Sequence, residues 1–270
     1  MGILNITPDS FADSVSRVDP AAAVEAALRM EADGADLIDI GAESTRPGAV
    51  PVPADVELAR LLPVLTALEG KLAVPISVDT TKAEVAAAAI SAGAAIVNDV
   101  SGLQRDPALG RVVADSEAAI ILMHMRGQPA SMYAEAVYGD LVREVTGELR
   151  ESIARARDAG IPLERVIVDP GLGFAKRPAH SYGVLAGLPE LAAGLDRPMV
   201  VGASRKSFMR DALAGRLADQ RDWGTAAAVT AAVLAGAHIV RVHAVAEMVQ
   251  VVRVAEEIRR HEPSAMSHQP

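Results

Sequence analysis

The chain has no cysteine at all, which excludes disulfides, thiolate nucleophiles and cysteine-held metals in one step. Only 3% of its residues are aromatic, too few for the stacking platforms that bind single-stranded nucleic acid. Cations are in the minority: 26 Lys and Arg against 35 Asp and Glu leave a formal net charge of -9. The surface as a whole therefore repels nucleic acid and anionic membranes, and any bound anion must be met by local cations. Long hydrophobic runs are missing too. The longest, 86–90 and 226–237, are Ala-rich and too short or too weakly apolar to span a bilayer. With no basic, Leu-rich leader in the sequence, the expectation is a soluble, cytoplasmic protein.

What is present is a chain of 270 residues, 50% of them hydrophobic, with no Pro, Gly or Ser run dividing it. That predicts one large domain over residues 1–260. The last ten residues, HEPSAMSHQP, lack periodicity and read as a disordered tail over 261–270. An architectural unit recurs within the domain. Asp19-Pro20 suits an N-cap followed by a first-turn proline, 21–32 an Ala-rich helix, Gly34 its stop, and 37–40 a short apolar strand. The same helix stop and strand return at Gly93, Gly160 and Gly236.

Counting each such strand gives 1–5, 37–40, 76–79, 95–98, 119–124, 166–169, 199–202 and 239–243. The helices between them include 54–68, 82–92, 141–159, 182–193 and 225–235. Short β-branched strands alternating with helices predict a parallel sheet covered on both faces. Eight of them in one chain fit a (β/α)8 TIM barrel, and no G-x-G-x-x-G follows the first strand to favour a dinucleotide fold.

In such a barrel the chemistry stands at the C-terminal strand ends. Each end here delivers polar residues: Asn5, then 43–46, Asp79, Asn98 with Asp99, His124, Asp169, 204–206, and Arg241 with His243. Some of these will cap the following helix, as Thr80, Asn98 or Ser204 could. Charges beside a barrel core, as at Asp79, Asp169, Lys206 and Arg241, must be paired or held for a purpose. Asp79, Asn98 and Asp169 offer carboxylates and an amide, which suit the edge of an amino-pyrimidinone heterocycle. Arg46, Arg241, His243 and the 204–206 turn offer cations and donors for a phosphate or diphosphate. His124 reads instead as a hydrogen-bonded structural histidine.

The runs GILNITPDSF, GAESTRPGA, SVDT, NDVSG, MHMRG, DPGLGF, GASRKSF and RVH occur in this order along the whole barrel. Together they resemble the dihydropteroate synthases, which join 6-hydroxymethyl-7,8-dihydropterin diphosphate to p-aminobenzoate. The resemblance implies that Asp79, Asn98, Met123, Asp169, Gly202 and Lys206 bind the pterin. It gives the diphosphate to Asn5, Arg46, Arg241 and His243, with Asn5 also a ligand of Mg²⁺. For p-aminobenzoate it implies Phe11, Thr45, Arg46, Pro47, Phe174, Lys206 and Ser207. The catalytic set becomes Asp79, Asp169, Lys206, Arg241, His243 and, on the first loop, Asp13. A homodimer is implied as well, with 225–235 as a candidate interface.

Two places depart from the family pattern. Its first loop reads roughly SFSDGG where this chain has SFADSV, and its last strand continues RVHDV where Ala244 stands here. Both departures resemble sulfonamide-insensitive members. The rival readings are an inactive pterin-binding paralogue and a pterin-dependent methyltransferase barrel, which has no need of the STRPG, SRKSF and RVH runs.

Overall fold

The computed structural model describes residues 1–7, 19–44, 49–128 and 131–261. Phe11, Asp13, Thr45, Arg46, Pro47 and the tail from 262 lie outside the described residues. Strands and helices alternate: β1 Gly2–Asn5, α1 Pro20–Ala32, β2 Ile38–Gly41, α2 Ala54–Leu68, β3 Ile76–Asp79, α3 Ala83–Ser91, β4 Ile96–Asp99 and α4 Pro107–Ala114. There follow β5 Ala119–Met123, α5 Leu141–Asp158, β6 Val166–Asp169, α6 Pro178–Ala186, α7 Leu188–Leu195, β7 Val200–Val201, α8 Asp222–Leu234, β8 Ile239–Val240 and α9 Val245–Arg260.

All pairings are parallel. β1 to β6 form one six-stranded sheet in chain order, and β7 with β8 form a two-stranded one. Single bridges, Val168 to Met199 and Gly2 to Val242, join the two sheets on either side and close the ring. The closure is hydrogen-bonded, with Ile3 N donating to Val242 O at 2.9 Å and Val168 N to Pro198 O at 2.9 Å. The molecule is thus the (β/α)8 barrel that the strand count predicts.

The local reasons are legible. Asp19 caps α1, its carboxylate accepting from Ala21 N at 2.9 Å ahead of Pro20. The four glycine stops share one geometry. Gly34, Gly93, Gly160 and Gly236 have φ of 98°, 96°, 96° and 91°, and in each the next N–H reaches back to the helix, as Ala35 N does to Met30 O at 2.9 Å. The helix predicted over 182–193 is broken at Gly187 into α6 and α7, because Pro189 belongs in a first turn, where its missing N–H costs nothing.

Helix faces pack against the outside of the sheet. α8 turns Thr225, Ala228, Val229, Ala232 and Val233 inward, so these residues of 225–235 serve the core. Trp223, Val254 and Ile258 remain exposed on α8 and α9. No described helix is long and apolar enough to cross a membrane.

Inside the barrel, Met1, Leu37, Ile96, Ala119, Ile121, Ile167, Val200 and Ile239 pack together as an apolar floor. Strand side chains alternate with a period of two, so the next inward positions above that floor include Asp39, Asn98, Met123, Asp169, Gly202 and Arg241. The polar residues at the mouth stand directly on this plug.

Candidate active site

Register brings the predicted tips together. Asn5 lies beside Gly41, Gly41 beside Asp79, and Asp79 beside Asn98, while Met123 lies beside Asp169. The ring is completed by Gly202, Lys206, Arg241 and His243 from the C-terminal part of the barrel.

A residue that the strand-tip reading passes over sits at the centre. Asp39 is fully buried in the middle of β2. It accepts from Ser77 Oγ at 2.6 Å, from Asn98 Nδ2 at 3.1 Å and from Arg241 Nε at 2.6 Å. Arg241 also reaches Asp79 at 3.3 Å. Burial works against the guanidinium charge, but Asp39 and Asp79 raise its pKa. The cation assigned to the diphosphate is therefore held across two carboxylates, and one N–H of the Asn98 amide is already committed.

Burial, and next the Asp39 charge, push the Asp79 carboxyl up to about 8. Burial raises Asp169 too, opposed first by the Lys206 charge and by the Gly171 N–H, 2.7 Å away. Lys206 Nζ donates to Leu172 O at 2.6 Å and lies 4.8 Å from the centre of the Phe174 ring. Burial brings its pKa down to about 8. A Cβ on Gly202 would lie 3.6 Å from Lys206 Nζ and 3.9 Å from Asp169 Oδ2, so this glycine keeps a gap open between acid and cation. Ser207, exposed, begins the short 3-10 turn Ser207–Met209.

The 204–206 turn splits its functions. Ser204 Oγ accepts from His243 N at 3.1 Å and contacts His243 Nδ1 at 2.9 Å. Arg205 turns away to pair with Asp222, with bonds of 2.8 and 2.7 Å. Asp99 is consumed by its own turn, accepting from Ser101 N and Leu103 N. His124 has both ring nitrogens engaged, Nδ1 with Lys176 at 2.7 Å and Nε2 with Glu148 at 3.0 Å. Ala244 occupies the N-cap of α9, with no side-chain bond to the helix.

Gly171 fixes the turn after β6. Its φ is +67°, and a Cβ there would meet the His124 carbonyl oxygen at 2.1 Å, so no other residue fits without moving β5 or β6. Asp39 and Lys176 are the residues that reading strand ends cannot supply. The only signal for Asp39 is a charge two positions after Leu37 in an otherwise apolar strand.

The chain belongs to the family described as pterin binding enzyme, whose pattern matches residues 1–243, and a barrel mouth that converges acids, an amide and cations agrees with that class. Within that family it belongs with the dihydropteroate synthases. It is 45% identical to the dihydropteroate synthase of Synechocystis sp. over 265 residues, covering 96% of this chain and 90% of that one. Two solved structures agree. The Yersinia pestis dihydropteroate synthase in a sulfonamide drug complex has a TM-score of 0.90 at 41% identity, over 96% of this chain and 93% of that one. The Xanthomonas albilineans enzyme in complex with 7,8-dihydropteroate has a TM-score of 0.86 at 40% identity, over 97% and 93%.

Proposed function

We propose that the chain joins 6-hydroxymethyl-7,8-dihydropterin diphosphate to p-aminobenzoate, giving 7,8-dihydropteroate and diphosphate. The observation that carries this is the sorting of charge at one mouth, with Asp79, Asn98 and Asp169 on β3, β4 and β6, and Lys206, Arg241 and His243 following β7 and β8. A ring with N–H donors and a diphosphate with negative oxygens need those two environments together.

In this reading Asp79, Asn98 and Asp169 bond the pterin edge, Lys206 meets its carbonyl, Met123 covers its face and Gly202 leaves it room. Arg241, His243, Asn5 and Arg46 hold the diphosphate. The C–O bond to the pterin methylene breaks with its electron pair on the diphosphate, and Arg241 and His243 stabilise the charge that develops there. Asp79, Asp169 and Asp13 favour the cationic methylene. The neutral amine of p-aminobenzoate then forms the C–N bond and releases a proton. Phe11, Thr45, Arg46, Pro47, Phe174, Lys206 and Ser207 position that substrate. No protein nucleophile takes part.

Mg²⁺ fits this site as an ion held by few protein atoms. Asn5, a partly exposed residue, offers one amide oxygen, and no cluster of three His, Cys, Asp or Glu that could cage a metal occurs among the described residues. Mg²⁺ characteristically keeps waters and substrate phosphates as its other ligands, and when bound it supplies charge neutralisation to the diphosphate. We further place the protein in the cytoplasm as a homodimer, the exposed Trp223, Val254 and Ile258 supplying apolar area for the contact.

The test is diphosphate release with both substrates present, together with identification of dihydropteroate. Turnover lost in Asp79→Asn and Lys206→Met is the expected outcome, whereas pterin binding without turnover in the unaltered protein would refute the reading. The altered 12–15 loop and Ala244 support weak inhibition by sulfonamides. Inhibition by sulfamethoxazole as strong as in a common-type enzyme would refute that.

A further inference from the structure

Behind the β5 and β6 ends runs a set of charged groups that the proposed reaction does not use, buried at Lys176 and partly exposed at Arg126 and Glu148. Lys176 is 1% exposed, and among the described residues no carboxylate lies within ion-pair distance of it. Its Nζ donates instead to His124 Nδ1 at 2.7 Å and to the Phe174 carbonyl at 3.1 Å. A core built only for stability would place an apolar side chain there, because a buried ammonium is costly unless its protons are bonded.

The contacts continue outward in a closed circuit. Burial pushes His124 down to about 4, so the ring is neutral near pH 7. With Nδ1 accepting from Lys176, its single proton sits on Nε2 and faces Glu148 at 3.0 Å. Arg126 grips the same Glu148 through Nε at 3.0 Å, donates to Val137 O at 2.5 Å and lies 4.1 Å from the centre of the Tyr138 ring. The Tyr138 hydroxyl then returns to the starting segment, donating to Ala175 O at 3.0 Å. Ala175 has a φ of 48°, a conformation that a residue with a Cβ keeps only when its surroundings enforce it.

Residues 174–176 are thus gripped from behind by two groups on separate segments, His124 and Tyr138, which Glu148 and Arg126 hold in turn. In front of them stand the Phe174 ring and the Leu172 carbonyl that receives the Lys206 ammonium. We propose that Lys176 is a positioning residue: with His124 and Tyr138 it sets where the Phe174 ring and, through the 171–174 turn, the Lys206 ammonium meet the substrates. This rests on the reading above that Phe174 and Lys206 line the substrate site.

The experiment compares kcat and KM for both substrates in Lys176→Met, Tyr138→Phe, His124→Asn, His124→Leu and the control Lys206→Met, each checked for a cooperative melt. A reacting group displaced by about 1 Å costs on the order of 100-fold in rate, so Lys176→Met is expected to lose roughly 10- to 100-fold in kcat/KM while still folded. Asn keeps an oxygen near the Nδ1 position and leaves Lys176 an acceptor. His124→Asn should therefore stay within about threefold of the unaltered protein, and His124→Leu should follow Lys176→Met. Tyr138→Phe removes one hydroxyl at a half-buried site and is expected to cost about threefold to tenfold. If Lys176→Met fails to fold, that variant and the His124 pair decide the matter. Native kinetics in Lys176→Met or Tyr138→Phe beside an impaired Lys206→Met would overturn the positioning role and leave the site reading intact. Equal losses in His124→Asn and His124→Leu would also overturn it. A native Lys206→Met would remove the site reading and this proposal with it.

Discussion

Replacing Asp39 is the sharpest test of how the barrel mouth is held together. In Asp39→Ala the buried Ser77 hydroxyl and Asn98 amide lose their acceptor at once, and the Arg241 guanidinium loses its shorter carboxylate contact and keeps only Asp79 at 3.3 Å. Breaking a buried ion pair by removing one partner costs about 3–5 kcal/mol. At roughly 2–4 °C per kcal/mol for a chain somewhat smaller than this one, Tm should fall by roughly 6–20 °C. Asp39→Asn separates charge from shape. Its oxygen can still accept from Asn98 and Arg241 while its amide donates to Ser77 Oγ, so only the charge is lost. Bonds to a charged group are worth about 1.5–3 kcal/mol against about 0.5–1.5 for neutral ones, so a loss of roughly 1–2 kcal/mol is expected. Calorimetric melting of both variants reads the difference. A Tm for Asp39→Ala within about 2 °C of the unaltered chain, or two variants equally damaged, would show that Asp39 does not organise the site.

The pH dependence follows from Asp79, whose carboxyl burial and the Asp39 charge hold at about 8 against an ordinary value of about 3.9. The folded state keeps a proton that the unfolded chain gives up, so this contribution to stability is complete below pH ~4 and is lost as pH rises to about 8. Pterin affinity should rise over the same range, since the ring's N–H donors need the ionised form. Titration calorimetry between pH 6 and 9 checks this, with Asp79→Asn predicted to be flat and weak. Glycine positions give a contrast: Gly93→Ala, with φ +96° and no atom within 4 Å of the added Cβ, should cost about 1–2 kcal/mol. Gly171→Ala, driven against the His124 carbonyl, should cost clearly more, and equal Tm values for the two would contradict the packing described. Ala244→Asp supplies the α9 N-cap with an acceptor and should add about 1 kcal/mol; an unchanged or lower melting temperature counts against that cap geometry.

The barrel was legible because its signals are local. A glycine after a helix and a β-branched run after that glycine each follow from backbone sterics, and they recur often enough to count strands. The ends of those strands could be read for the same reason. Asp39 was harder to see, since Leu-Ile-Asp-Ile reads as a buried strand and says nothing of which neighbours its side chain will meet. Ser77 faces it from the neighbouring strand β3 and Asn98 from β4 in the same sheet, and only ring closure brings Arg241, beyond β8, within 2.6 Å. Lys176 is the extreme case: its ring partner, His124, lies 52 residues upstream, and its own segment is held through Ala175 by Tyr138. The pairing of Arg241 with two acids was equally out of reach, because residue type announces a cation but not what it faces.

The seams of the barrel carry a consequence for how the chain assembles. The six-stranded sheet contains Asp39, Asp79 and Asp169, whereas Lys206 and Arg241 belong to the smaller piece that is joined on either side by one bridge. A chain emerging from the ribosome completes β1 to β6 first and then holds three acids on an inner wall without these two counter-charges. Arrival of the last quarter supplies both cations and closes the ring in the same event. A ligand that spans the acids of the large sheet and the cations of the small piece binds only the closed ring and so stabilises it, and amide exchange along β7 and β8 should slow when substrate is added.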